Sequence, residues 1–267
     1  MQSNKIKTGF IIFLLSIFFI ACKKNVLNLS DNLVNNEGAY LKMNWLSPSF
    51  NTQGVQLKIN GTRVSNLLGL GFTSTTQYVM PFPGGGLNTG GNNKNDYLLV
   101  NAGTINVTLS VPKKGTNEDS ILVHMTDVVT EKGKYFSLNV CDSFPTAQSF
   151  QLPDDVNYAD SGFVNLRFIN TVLSVGANID FLVTNSSGTD IVLASNIPFK
   201  GATEFLKIPY VTGTYTFKLR KTGTTVTYGT TYGTSSLTNK RSYTVAARGY
   251  NGGIGARVPT LSIIYNK

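Results

Sequence analysis

The chain has a single histidine, His124, and two cysteines, Cys22 and Cys141, so nucleophilic catalysis and metal binding have few side chains to draw on. For acyl transfer, His124 needs a serine or cysteine nucleophile and an orienting acid within hydrogen-bond reach. Ser120 is four residues away, roughly 13 Å along an extended strand at ~3.3 Å per residue, and Asp127 falls on the opposite face. Zinc is disfavoured, because there is neither a CxxC pair nor a second histidine. The adjacent acids Glu118-Asp119 and Asp154-Asp155 lack calcium-loop spacing and read as solvated turn or linker residues. No pair of carboxylates has the fixed separation that glycoside hydrolysis requires. The expectation is therefore no catalytic residue, no metal and no cofactor, with Cys141 a free, partly buried thiol on a strand.

Aromatic residues are the better candidates for recognition. Trp45 ends the first strand, and Tyr228 and Tyr232, spaced by four in TVTYGTTYGTSS, would share one face of a strand. Flat rings flanked by threonine hydroxyls and asparagine amides can stack on sugars, whereas core or cross-strand packing is the plainer use of the same residues. Each tyrosine is followed by glycine, Gly229 and Gly233, which permits a bulge or the close approach of another group. The glycine and asparagine run at 84–95, GGGLNTGGNNKN, lacks the GK[ST] ending and the following helix of a phosphate loop, and reads as a surface loop.

What positions these residues is a repeated β pattern. YLLVNAGTINVTLSVPKKG at 97–115 and FLKIPYVTGTYTFKLRKT at 205–222 align on Gly103 and Gly213, each with an apolar run, a Gly-Thr turn and an alternating run, and the pattern reads as a β-hairpin. Ile105, Val107, Leu109 and Val111 share one face, matched by Tyr215, Phe217 and Leu219. With 267 residues, only 14% of them charged, and 26 glycines, the composition fits an exported all-β protein with room for two cores. Further strands are expected at 39–45, 55–59, 76–80, 121–127, 135–141, 179–184, 191–194, 224–231, 242–247 and 260–265. The stretch 145–160, with Pro145, Pro153 and three aspartates, reads as a linker between domains at 39–144 and 161–267.

The N-terminus carries Lys5 and Lys7 ahead of the apolar run FIIFLLSIFFI at 10–20, too short to span a bilayer and suited to a secretory signal. Phe19-Ile20-Ala21-Cys22 resembles a bacterial lipobox, which implies a signal peptide at 1–21, lipidated Cys22 as the first mature residue and a polar tether at 22–38. Loss of the two lysines lowers the formal charge from +9 to +7. The remaining lysines are scattered over turns, so nucleic acid is not expected as a partner.

Residues 162–170 (GFVNLRFIN), the run 178–183, the turn at Gly213 and 240–249 (KRSYTVAARG) resemble the domain-of-unknown-function family 4397. The same order recurs upstream as AYLKMNWLSPS, VQLKING, AGTINVTL and EKGKYFSLNVCDS. The resemblance implies two tandem immunoglobulin-like antiparallel β-sandwiches in a cell-envelope lipoprotein, and it carries no catalytic residue over. The expected function is non-enzymatic: binding a glycan or an envelope protein, or spacing one from the outer membrane, at either the periplasmic or the surface face. The alternative is a carbohydrate-active or peptidoglycan-modifying enzyme, or its accessory subunit. Replacing Cys22→Ser is expected to abolish lipidation and move the protein from the detergent phase to the aqueous phase on Triton X-114 partitioning; unchanged partitioning would remove the lipoprotein reading.

Overall fold

A computed structural model describes residues 38–47, 56–64, 97–112, 119–142, 147–154, 157–185, 187–234 and 237–266. Cys22, the signal and tether, the expected strand at 76–80 and the 84–95 loop lie outside them. The first half contains β1 (Gly38–Trp45), β2 (Gln56–Ile59), β3 (Thr62–Arg63), β4 (Leu98–Asn101), β5 (Gly103–Pro112), β6 (Asp119–Thr130), β7 (Tyr135–Cys141) and β8 (Gln148–Pro153). The second contains β9 (Phe163–Leu173), β10 (Ile179–Thr184), β11 (Asp190–Ile197), β12 (Leu206–Pro209), β13 (Tyr215–Lys221), β14 (Tyr232–Thr234), β15 (Ser242–Tyr250) and β16 (Thr260–Tyr265).

These strands build an all-β fold of four four-stranded sheets, in the orders β4-β1-β7-β8, β3-β2-β5-β6, β12-β9-β15-β16 and β11-β10-β13-β14. The third and fourth sheets form a β-sandwich, because alternate residues of both point into one core. Val164, Leu166, Phe168, Val245 and Ile263 come from one sheet, and Ile179, Phe181, Phe217 and Leu219 from the other. In the first half, Leu41, Met43, Trp45, Leu138 and Val140 alternate inward on one sheet, and Leu57, Ile105, Val107 and Leu109 are buried on the other. β1 runs parallel to β7 and β9 parallel to β15, so two sheets are mixed where antiparallel pairing alone was expected.

Three local readings change. The repeat at Gly103 and Gly213 is present, but its arms do not form hairpins. β4 pairs with β1 while β5 pairs with β2 and β6, and β12 pairs with β9 while β13 pairs with β10. Each Gly-Thr turn instead carries the chain from one sheet to the facing one, with φ of +108° at Gly103 and +125° at Gly213. Alternation alone cannot separate these cases, since arms on facing sheets point their apolar residues at the same core just as paired arms do.

The second change is in 145–160, where residues 148–153, read as linker, form β8 against β7. β8 is the counterpart of β16, the closing strand of the other half. Pro153, its last residue, and Pro145 ahead of it mask it in the sequence, and its apolar alternates, Phe150 and Leu152, serve a different surface from the core. The third is 224–231, which is loop with one isolated bridge between Arg220 and Thr227; the strand that follows is β14.

Phe150 and Leu152 pack with buried Leu46, Ile169, Ala246 and Ile264. These residues belong to the outer faces of the β4-β1-β7-β8 and β12-β9-β15-β16 sheets, so the halves meet sheet against sheet. Beside this apolar patch Arg167 Nη2 pairs with Asp154 Oδ1 at 2.5 Å, with side chains 4% and 0% exposed. Arg167 also donates to the Pro153 carbonyl at 2.7 Å and to Thr244 Oγ1 at 2.9 Å. Asp154 Oδ2 accepts from Tyr97 at 2.7 Å and from Ser137. Asn266 accepts from Thr244 at 2.9 Å and donates to the Tyr97 hydroxyl at 3.3 Å. Burial, and then the adjacent Asp154 carboxylate, push the Tyr97 hydroxyl far above the usual tyrosine range, so it stays a donor. Asp154 is thus a buried structural anion and no solvated linker acid.

Removing one partner of such a pair strands a charge out of water. Arg167→Ala is expected to lower the unfolding free energy by about 3–5 kcal/mol, measured by urea denaturation, and Asp154→Ala in the same background should add little. A loss below about 1 kcal/mol would mean that the pair is solvated.

Candidate functional site

The histidine acquires a partner that strand spacing did not indicate. His124 Nε2 lies 2.8 Å from Ser149 Oγ, joining the edge of β6 to the edge of β8. A second link, from Gln151 Nε2 to the Val129 carbonyl at 2.6 Å, closes the same seam. Asp127 does not orient this pair: it accepts from Asn106 Nδ2 at 2.8 Å on the outer face of its sheet. Cys141 is a free, fully buried cysteine whose thiol burial pushes up to about 12, which keeps it protonated and unreactive at neutral pH. Among the described residues no three His, Cys, Asp or Glu side chains gather to hold a metal.

The aromatic candidates separate. Trp45 is 1% exposed and its Nε1 has no hydrogen-bond partner among the described residues, so it is a core side chain offering no face to a ligand. Its position on β1 explains this, because it continues the inward series Ala39, Leu41, Met43. Tyr228 and Tyr232 are half-buried and pack against the second core. They do not share a strand face, since Tyr228 sits in the loop before β14 and Tyr232 begins that strand.

Tyr228 nevertheless belongs to the most organised surface of the second sandwich. β9 and β15 end side by side at Leu173 and Tyr250, and Ile179 at the start of β10 is paired with both Ile197 and Lys221. The connections 174–178, 198–205, 222–231 and 251–259 all leave from this end. They are stitched by Asn251 N to Leu173 O (3.0 Å), Thr222 N to Asn178 O (2.9 Å) and Thr230 N to Pro259 O (2.8 Å). The Tyr228 hydroxyl donates to Asn251 Oδ1 at 2.9 Å, and Lys221 Nζ lies 4.9 Å from its ring centre.

Glycine makes this packing possible. A Cβ at Gly229 would lie 2.1 Å from the Pro259 carbonyl oxygen, and one at Gly249 would lie 2.7 Å from Pro259 Cα. Both residues also have positive φ, of +79° and +121°. The reading that glycine after Tyr228 allows close approach of another group thus holds at Gly229, where the group is the 251–259 loop.

On this frame Val226, Tyr250 and Ile254 are 73%, 43% and 77% exposed. Beside them a cavity of about 340 Å³ is lined by Leu173, Ser174, Gly176, Ala177, Asn178 and Phe199, among others. That volume is at the lower end of the ~300–1,000 Å³ range of small-ligand sites, and exposed apolar groups clustered on a rigid rim are the usual mark of a contact surface. Sequence reading missed Phe199, Tyr250 and Ile254. The signal available for the last two was the glycine-rich GYNGGIG around them, which resembles any surface turn.

No family model and no curated protein matches the chain. Among solved structures it is similar to the Bacillus anthracis TIE protein, at 15% identity and a TM-score of 0.25. That match covers 80% of this chain and 34% of the other, so the chain spans about a third of that protein. It is also similar to a family 26 carbohydrate-binding module of Eubacterium rectale Amy13K, at 10% identity and a TM-score of 0.23, over 85% of this chain and 97% of that one. Both scores are too low to argue fold or function.

The His124 seam has a pH consequence. Burial lowers the pKa of His124, against an opposing backbone hydrogen bond to Ala147, so the unfolded chain takes up a proton first on acidification. Stability from this group is complete above about pH 6.5 and falls as the pH drops from there toward the depressed folded value. His124→Asn should flatten the dependence of the urea midpoint between pH 7.5 and 5. An unchanged slope would mean that the ring is solvated.

Proposed function

We propose that the protein is a non-enzymatic, lipid-anchored outer-membrane protein of the bacterial envelope that binds a glycan at the loop end of its second sandwich. The observation that carries this reading is the rim itself. Phe199, Ser174 and Asn178 line a cavity of about 340 Å³, and Tyr250, on the neighbouring strand, is register-paired with the lining residue Leu173. Apolar ring faces with hydroxyl and amide groups at their edges suit a sugar, whose faces are apolar and whose rim is polar. The stitched loops support the reading further, because a preorganised rim loses little entropy when it binds. The kinship with family 4397 is part of the same proposal.

A spacer role is the second reading, favoured by the buried sheet-on-sheet contact, which suits transmission of position more than hinge motion. The two separate by titration calorimetry of the mature protein against a panel of neutral and acidic oligosaccharides. Tyr250→Ala and Phe199→Ala should each weaken binding about tenfold, the ~1.4 kcal/mol of one lost ring contact, with little change in Tm. Absence of binding across the panel would leave the spacer.

A further inference from the structure

Charge at the loop end narrows the ligand. The stretches 170–181, 196–205, 219–231 and 248–259 contain five cationic side chains, Lys200, Arg220, Lys221, Arg248 and Arg257, against two carboxylates, Asp180 and the exposed Glu204, a net of +3. The Asp180 carboxylate is consumed internally. Its Oδ2 accepts from Arg220 at 3.2 Å, and its Oδ1 accepts from Thr222 Oγ1 at 2.7 Å and from the Asn196 amide at 2.9 Å. Arg220 is therefore neutralised, while Lys200 and Lys221 have no carboxylate partner among the described residues. Lys200 directly follows the cavity residue Phe199, and its Nζ donates to Gln148 Oε1 at 3.0 Å, an amide whose Nε2 in turn donates to Asp142 Oδ2 at 3.3 Å. Lys221 reaches over the Tyr228 ring and precedes Thr222, whose amide is bonded to the cavity residue Asn178.

The cations thus adjoin the aromatic rim and lie outside the apolar floor. A neutral sugar makes no use of them, and a free anion makes no use of the rings. We infer that the site takes an anionic glycan, with ring faces against Phe199 and Tyr250 and carboxylate or sulfate groups against Lys200 and Lys221. This rests on the glycan-binding reading and deepens it. The long-range part of the attraction is screened over a Debye length, so affinity for such a ligand falls with salt.

The matched probes are polygalacturonate, hyaluronate and chondroitin sulfate against methyl-esterified galacturonan and dextran, titrated into the mature protein in neutral detergent. At least one acidic polymer should bind at least about tenfold tighter than the neutral ones at 20 mM NaCl, and lose most of that preference at 500 mM. The Lys200→Gln, Lys221→Gln double variant, checked for an unchanged Tm, should abolish the preference and leave residual binding. Phe199→Ala should weaken acidic and neutral binding alike. Equal, salt-independent binding of acidic and neutral polymers would overturn the anionic inference while leaving the glycan reading in place. Failure of every polymer to bind would overturn both. Binding to phosphatidylglycerol vesicles without binding to any acidic polymer would assign the cations to a lipid surface and also overturn it.

Discussion

One buried ion pair constrains how the rest of the chain is assembled. Arg167 and Asp154 meet between the outer faces of two sheets, each of which already covers a core on its inner side. A buried pair is a poor source of net stability, because desolvation offsets most of the attraction. Its effect here is on geometry. Sliding one sheet over the other would leave both charges in a low-dielectric layer without partners, at a cost of several kcal/mol. Tyr97, Ser137, Thr244 and Asn266 surround the pair with hydrogen bonds, and Leu46, Ile169 and Ile264 close the layer beside it. The two sandwiches are held in one registration by a patch that is half apolar and half polar.

That interface also explains which parts of the fold were legible in the sequence. Alternation reports residues that face a core, and it located β1, β5, β7, β10, β13 and β16 to within a residue or two. It fails where the second face of a strand is buried too. Lys42, Asn44, Ser137, Asn139, Arg167 and Thr244 look like the wet side of their strands, and all are buried. Long-range burial of polar residues leaves no periodic trace, so the sheet-on-sheet contact was invisible. β8 was lost for the same reason, since its apolar alternates point at the interface and its flanking prolines imitate a linker. The anticipated hairpins failed differently, because pairing partners are a property of topology and the local pattern is indifferent to them.

At the candidate site the division is similar. Glycine after Tyr228 was a readable sign of crowding, but its partner, Pro259, is thirty residues away. Trp45 drew attention by type, and its burial follows from the parity of the strand that carries it. Phe199 and Tyr250 carried no special spacing. They matter because parallel pairing ends β9 and β15 together and brings four connections to one end, which no single segment encodes.

The two sandwiches share one topology, so the difference between them is informative. β1, β4, β7 and β8 correspond to β9, β12, β15 and β16, with the same parallel pair at the centre. Both sandwiches give the outer face of that sheet to the mutual contact, and neither can use it for a ligand. What remains for recognition is loops, and there the copies diverge. The connection between β7 and β8 spans only 142–147, whereas its counterpart at 251–259 is half as long again and contains Gly252, Gly253 and Gly255. Glycine adds conformational freedom to the unfolded chain, so a loop with three of them needs contacts to hold its shape, and here Asn251 N–Leu173 O (3.0 Å), Gly253 N–Tyr250 O (2.8 Å) and Thr230 N–Pro259 O (2.8 Å) supply them. On the glycan-binding reading proposed above, this longer connection of the second sandwich supplies one edge of the site, next to Tyr250 at the end of β15.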